Sequence, residues 1–597
     1  MKRLKETFTN SIKKISLAGF RFPMTVANLL AVASIIFRLI AIDEAPSVML
    51  QKLMFTFVVG AVFGMVAQFA VERFHKLSEK RVLVYGGVLL LLAGYFLILL
   101  PAPEISAEIT IRSLVAVFAL VCMVLWIPPY KSEVNFNLVA LVHFKSIFTS
   151  VLYSVVLSAG IAAIIGTIDI LLFKVNNDLY AYTMTIIWVV FAPVYYLSLL
   201  PRFNSEFEAD QSMIKHASSY PKFLDILVSN IAIPLISIYT LVLIAYFLKI
   251  LFTLTWPSGQ VGPMVLIYSI AGILIFVLSS LLENRFVLFY RKIFPKILIP
   301  IVIMQLISVG IRLNTYGVTE SRYYIAIFGV FSIIVGVLLS FSSVSKNEWI
   351  ALLAATFAII SIIPPVDAFT VSRRSQINRI QSILENEGML IDGKIIKKED
   401  ASEYTKVETT NILYYLERSS SLEYIDWIPE DFKIYNDFKA TFGFEPTYSI
   451  HKNGDQQYIN VELDTQQPLP VSGYDVLLNT FVGRYMNEKE MKDLAFELNG
   501  KTYGLKVNRI SNDEVRVSIL DSSGTELVGT GLNEFAKGIV GETHVTKEAL
   551  SPKEMSFDVI KNGYRLKIIF QNISYTSGRG SDSGTDYAIY VLFAASK

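Results

Sequence analysis

Thirteen residues between Arg312 and Tyr324 hold two arginines, one glutamate and three tyrosines, in the order Arg312-Leu-Asn-Thr-Tyr-Gly-Val-Thr-Glu-Ser-Arg-Tyr-Tyr324. Long apolar runs flank them on both sides. Arginine presents a planar fork of donors that matches a carboxylate or a phosphate. Arg312, Tyr316, Glu320 and Arg322 are therefore the candidate ligand-binding residues of the chain. Two readings stay open. Glu320 pairs with Arg312 or Arg322 and pins a hairpin bent at Tyr316-Gly317, because a charge beside lipid usually finds a protein partner. Alternatively, the arginine left over receives an anion, either a lipid headgroup or an envelope glycan.

Other charges lie within apolar runs. Arg38 and Asp169 are the most isolated of these intramembrane charged residues, and they either pair with each other or line a path. Arg112 and Lys249 stand near the ends of their runs and are expected to snorkel. No Ser/His/Asp constellation, phosphate-cradling glycine loop or redox pair occurs. There is one cysteine, Cys122, inside an apolar run, so no disulfide can form within the chain and no Cys-based metal site exists. The five histidines are scattered without ligand spacing. The reading is thus of a non-enzymatic chain with no catalytic residues, no metal and no cofactor.

The elements that must position these residues are membrane spans. The chain has 597 residues, 53% of them hydrophobic and 17% charged, with a mean hydropathy of +0.50. Soluble domains carry about 25% charged residues. About eleven apolar runs reach spanning length of roughly 17 residues or more. The first is Phe22–Ile40 and the last Trp349–Phe369, and Ile297–Leu313 and Tyr323–Val344 flank the polar turn. The expected fold is an α-helical polytopic membrane bundle of about 11 transmembrane helices, followed by a soluble α+β domain rich in β-structure. The expected organisation is a basic amphipathic N-terminal segment (1–21), a transmembrane helical domain (22–369), a helical linker region (370–440) and a β-rich soluble domain (441–597).

Charge orients this arrangement. Up to Phe369 there are 27 basic and 18 acidic residues, and beyond it 26 and 33. An acidic tail lacks the basic face that phosphate backbones need, so nucleic acid is not an expected partner. With the N-terminus inside, basic residues of the inner segments outnumber those of the outer loops by about twenty to two. An odd number of spans then places the tail outside. The expected location is the cell membrane, with a cytoplasmic N-terminus and an extracytoplasmic C-terminal domain. Gly60 and Gly64 form a GxxxG pair, and Ser158, Gly160, Ala162, Ala163 and Gly166 form a second run of small residues, both suited to close helix packing.

In the tail, Ser375 to Leu384 and Thr405 to Arg418 read as amphipathic helices. From about Tyr448 the pattern is β. Asn453-Gly454, Asn499-Gly500 and Asn562-Gly563 each stand between β-rich stretches and mark two-residue hairpins. Arg579 to Asp586 is rich in oxygen ligands but lacks the spacing of a calcium loop, and it reads as a hairpin loop.

Three stretches carry a resemblance. They are Trp256-Pro-Ser-Gly259, Tyr316-Gly-Val-Thr-Glu-Ser-Arg-Tyr323 and Val371-Ser-Arg-Arg-Ser-Gln-Ile-Asn-Arg379. The chain resembles a prokaryotic family known as a domain of unknown function, number 4153. In that family a Gly-Pro step precedes the Ser-x-x-Ser-Gln segment. Pro364-Pro365 stands here instead, so no role of that glycine carries over. The resemblance implies a polytopic membrane protein and no particular reaction.

These features favour an envelope sensor or scaffold whose outer module binds an envelope component or a partner protein. The alternatives are a permease or transporter of an anionic or lipid-linked substrate, using Arg38, Asp169 and the Arg312 cluster, and a membrane-embedded transferase. A transporter would show a polar cavity reaching mid-bilayer; the sequence shows no internal repeat.

Overall fold

The computed structural model describes residues 13–595 apart from 43–46, 204–207, 254–260, 430, 448–456, 484–485, 487–493, 512–513, 543–548 and 578–583. Asn453-Gly454, Trp256-Pro-Ser-Gly259, most of the Arg579–Asp586 loop and the first twelve residues of the basic segment lie outside the described residues. The chain divides into two units, one of residues 1–395 and 412–434, the other of residues 396–411 and 435–597.

In the first unit, ten helices among the described residues are long and apolar enough to cross a bilayer. They are α1 (Pro23–Ile40), α2 (Val48–Arg73), α3 (Arg81–Leu99), α4 (Ala107–Trp126), α5 (Phe136–Leu171), α6 (Asp178–Ser198), α7 (Lys222–Thr253), α8 (Val261–Ser279), α9 (Arg285–Tyr316) and α10 (Glu320–Phe341). The eleventh apolar run forms a shorter helix, α11 (Glu348–Ile360). It stops there because Pro364-Pro365 can neither donate to a helical ladder nor leave the preceding residue free to stay helical. Helix α12 (Ala368–Asn386) starts afresh behind Asp367, whose carboxylate caps the amides of Phe369 and Thr370. The polar helix expected from Ser375 therefore begins seven residues earlier.

Polar contacts fix both ends of α11. Asn347 donates to Asn137 Oδ1 (2.8 Å), at the start of α5, and to Ser280 Oγ (3.2 Å). Beyond the other end, Ile362 O and Asp367 accept from Arg112, in the second turn of α4. Helix α11 thus joins the two ends of the bundle, packed along α4, although its 13 residues rise only about 20 Å at roughly 1.5 Å each.

Close packing follows the small residues in one place and not in the other. A Cβ on Gly64 would lie 2.8 Å from the backbone nitrogen and from Oγ1 of Thr25, so the GxxxG face of α2 sets the approach of α1. A Cβ on Gly160 would meet nothing within 4 Å. At Gly160 the small stretch of α5 therefore does not pack within this unit as Gly60 and Gly64 do, and at Gly166 a Cβ would only reach ordinary contact with the Tyr180 hydroxyl, at 3.4 Å. In α6 and α7 a π-helical turn, Ile186–Phe191 and Leu227–Ala232, sits just ahead of Pro193 and Pro234. Such a turn absorbs the hydrogen bond that a proline cannot make.

A minimal hairpin, β1 (Leu390–Ile391) with β2 (Lys394–Ile395), closes the segment after α12. Helix α13 (Glu403–Arg418) begins in the second unit and ends in the first.

Among its described residues the second unit holds α14 (Ile434–Phe442, from its second residue), α15 (Asn533–Glu542) and nine strands: β3 (Gln457–Glu462), β4 (Val476–Val482), β5 (Leu494–Leu498), β6 (Lys501–Ser511), β7 (Glu514–Leu520), β8 (Glu526–Gly531), β9 (Ser556–Lys561), β10 (Tyr564–Ser577) and β11 (Gly584–Ala595). One antiparallel sheet runs β3-β10-β11-β4, with β9 on the first half of β10, and the other runs β5-β6-β7-β8. Their inner faces share one core, in which Val515, Val517, Phe570, Tyr587 and Phe593 are buried. Asn499-Gly500 and Asn562-Gly563 hold positive φ and turn β5 into β6 and β9 into β10, as the sequence leads one to expect.

Candidate functional site

The last four carbonyls of a helix have no partner within it. At the end of α9 the last of these, Tyr316 O, and the carbonyls of Gly317 and Val318 just beyond it are met by side chains from two directions. Arg322 Nη1 donates to Gly317 O (2.9 Å) and Tyr316 O (3.3 Å) from α10. Gln376 Nε2, in α12, donates to Tyr316 O (3.0 Å) and Val318 O (2.8 Å). The Val318 amide donates to Ser375 Oγ (2.9 Å). Gly317 has φ 70° and ψ 178°, a region essentially confined to glycine, and a Cβ there would lie 2.8 Å from Gln376 Nε2. The turn and the first half of α12 are therefore one interlocked structure. Two of the three stretches behind the family resemblance bond directly to each other.

Arg322 also stacks its guanidinium on the Tyr316 ring, 5.5 Å from the centroid. Arg312 and Arg379 stand close enough for their charges to repel that of Arg322. The structure thus brings Arg312, Tyr316 and Arg322 together and adds Arg379. It does not form the expected ion pair of Glu320 with Arg312 or Arg322. Glu320 Oε1 instead accepts the Tyr415 hydroxyl at 2.7 Å. Burial, and then the bond to Glu320, hold the Tyr415 phenol well above its ordinary range. It stays protonated and serves as a donor. A tyrosine on α13 thus takes the place assigned to an arginine, and Arg322 turns to backbone carbonyls. The charge balance on which an anion site was expected changes accordingly.

A second cluster lies where α12 begins. Arg112 Nη2 donates to Asp367 Oδ1 (2.8 Å) and contacts Glu108 Oε1 (2.7 Å). The Asp367 side chain is wholly inaccessible. The Tyr323 hydroxyl donates to Val366 O at 2.5 Å. Arg112 is therefore not a snorkelling residue; its charge is spent on a buried carboxylate.

Arg38 and Asp169 are not a pair. Each stands in the last turn of its helix, α1 and α5. Asp169 accepts from the Val175 amide (2.8 Å) and from Lys174 (3.3 Å), both just beyond its own helix. Arg38 makes no ion pair among the described residues and sits where a helix C-terminus favours a cation.

A family model described as Domain of unknown function (DUF4153) matches residues 25–393. The chain belongs to that family. The matched region takes in the ten spans apart from the first two residues of α1, the Gly317 turn and the whole of α12. A curated relative, the Uncharacterized protein PM1469 of Pasteurella multocida (strain Pm70), is 24% identical over 211 residues. That alignment covers 35% of this chain and 34% of the relative, so the chain spans about a third of the relative's length. No solved structure matches.

Gln376, Ser375, Tyr415, Asp367 and Arg379 are not legible as site residues in the sequence. One signal is present: Val371–Arg379 and Tyr316–Tyr323 are polar, motif-like stretches that each border an apolar run.

Proposed function

We propose that this chain is a multi-pass envelope scaffold that carries a folded β-rich module on the extracytoplasmic side, with its N-terminus in the cytoplasm. The observation that carries this reading is the bonding of α12 to the membrane unit at two levels: Asp367 to Arg112, and Gln376 and Ser375 to the Gly317 turn. A polar helix secured in this way passes the position of the spans to whatever follows it, which suits anchoring or sensing. The pinned ends of α11 support an odd number of crossings, and the positive-inside balance supports an inner N-terminus.

Single-cysteine alkylation tests the arrangement. In a Cys122→Ser background, Ser523→Cys is expected to react with a membrane-impermeant maleimide on intact cells. Reaction only after lysis, with matched reactivity controls, would place the module in the cytoplasm and end this reading.

A further inference from the structure

A cleft of about 940 Å3 opens at the end of the membrane unit where α2 ends and α3 and α5 begin. Five cations line it: Lys14, Arg21, Arg81, Lys145 and Arg202. They come from the segment ahead of α1, from α3, from α5 and from the stretch after α6, so no single helix face accounts for their convergence. The described lining residues include no carboxylate.

The state of each cation can be read from its partners. Arg21 is neutralised by Glu72 through two contacts, 2.7 and 2.8 Å, and also donates to Leu200 O (2.5 Å) and Pro201 O (3.0 Å). Lys145 donates to the carbonyls of Ala217 (2.8 Å) and Ser219 (2.7 Å). Arg81 donates to Gln68 Oε1 and to the Tyr85 hydroxyl, each at 3.2 Å. These neutral acceptors orient the two charges without cancelling them. Lys14 and Arg202 are exposed and make no ion pair among the described residues. Among the described residues, one cation is balanced by a carboxylate and four are not. Like charges crowded beside lipid are costly unless an anion joins them. Leu17 and Phe20, 58% and 80% exposed, stand on the same cleft.

We propose that this cleft seats the phosphate headgroup of an anionic phospholipid, with an acyl chain against Leu17 and Phe20. Arg81 and Lys145 form the preset part of the seat, and Lys14 and Arg202 close on the phosphate from the rim. A free phosphate would answer the charge and leave the apolar rim uncovered; a lipid answers both. The inference is independent of the scaffold reading and of which side of the membrane the module occupies.

Native mass spectrometry of the full-length protein in detergent tests it, with phosphatidylglycerol, phosphatidylcholine and inorganic phosphate as probes. One phosphatidylglycerol is expected to bind saturably, and the other two weakly. Lys14→Gln with Arg202→Gln should weaken phosphatidylglycerol binding by about tenfold or more, as expected for cations that meet an anionic headgroup. Lys292→Gln with Lys346→Gln removes two exposed cations from the same end of the bundle outside the cleft, and should leave binding unchanged. The proposal is overturned if both pairs weaken binding equally, which means a general surface field, or if phosphatidylcholine binds as tightly. Equal binding of inorganic phosphate also overturns it, in favour of a soluble anion.

Discussion

Gln376 spans the turn at Gly317 with a single amide nitrogen, donating to the carbonyls of Tyr316 and Val318 on either side of it. The residues are sixty and fifty-eight positions apart in the chain. The contact converts the open end of α9 into a docking point for α12, the first polar helix after the spans.

Gln376→Ala leaves Val318 O without its side-chain donor and Tyr316 O with only the longer contact from Arg322, a cost of about 1–3 kcal/mol for partly buried groups. Gly317→Ala forces a side chain into a glycine-only conformation, at about 1–3 kcal/mol, and sets its Cβ against the Gln376 amide. Each variant is expected to melt several degrees lower in detergent. The double variant should lose less than the sum, since Gln376→Ala removes the group that the new Cβ meets. Strict additivity would show that the two residues do not act on each other.

The spans are legible in the sequence because an apolar run of bilayer length has few places to be buried outside a membrane. The hairpins at Asn499-Gly500 and Asn562-Gly563 are legible because those dipeptides accept positive φ. The Arg312–Tyr324 turn is visible as a charged interruption, but its partners are not. Gln376 and Tyr415 meet it from 60 and 95 residues away, and one sequence carries no signal for pairing at that distance. The ion pair expected of Glu320 follows from charge and spacing alone, and a neutral donor on α13 takes that place. The break after Ile360 is available in principle. Pro364-Pro365 followed by Asp367 is a helix stop followed by a cap, hidden by the apolar residues around it.

Arg112 and Asp367 differ in what each leaves behind. Arg112→Met strands a wholly inaccessible carboxylate, at about 3–5 kcal/mol. Asp367→Ser keeps a capping oxygen for α12 and leaves Arg112 its contact with Glu108, so it should cost less. Removing both charges should cost less than Arg112→Met alone. Thermal melting of the three variants in one detergent checks the order. A double variant as weak as the sum of the singles would mean that the two charges are not coupled.

Tyr415 gives the fold an alkaline limit. Burial and the bond to Glu320 raise its folded pKa above the unfolded value of about 10. Its contribution to stability is therefore complete below pH about 10 and declines above it, as the unfolded chain releases a proton that the folded chain keeps. Tyr415→Phe should lower stability near neutrality by about 1.5–3 kcal/mol, the range for a hydrogen bond to a charged group. It should also flatten the decline above pH about 10. Melting curves from about pH 7 to 11 for both proteins test this, and parallel declines would count against it.

Two glycines in apolar helices should respond in opposite ways to the same change. Gly64 faces the backbone of α1, and an added Cβ would lie 2.8 Å from Thr25 N, a rigid atom that moves only with its helix. Gly64→Ala should therefore push α1 from α2 and cost about 1–3 kcal/mol, as overpacking does. Gly160 on α5 meets nothing within 4 Å, and alanine is the better helix former by up to about 1 kcal/mol. Gly160→Ala should leave melting unchanged or raise it slightly. The comparison separates packing from composition, because both glycines lie in stretches that read equally well as helix contacts. A matching loss at Gly160 would show that the small-residue face of α5 is covered in the membrane by something beyond this chain's own helices.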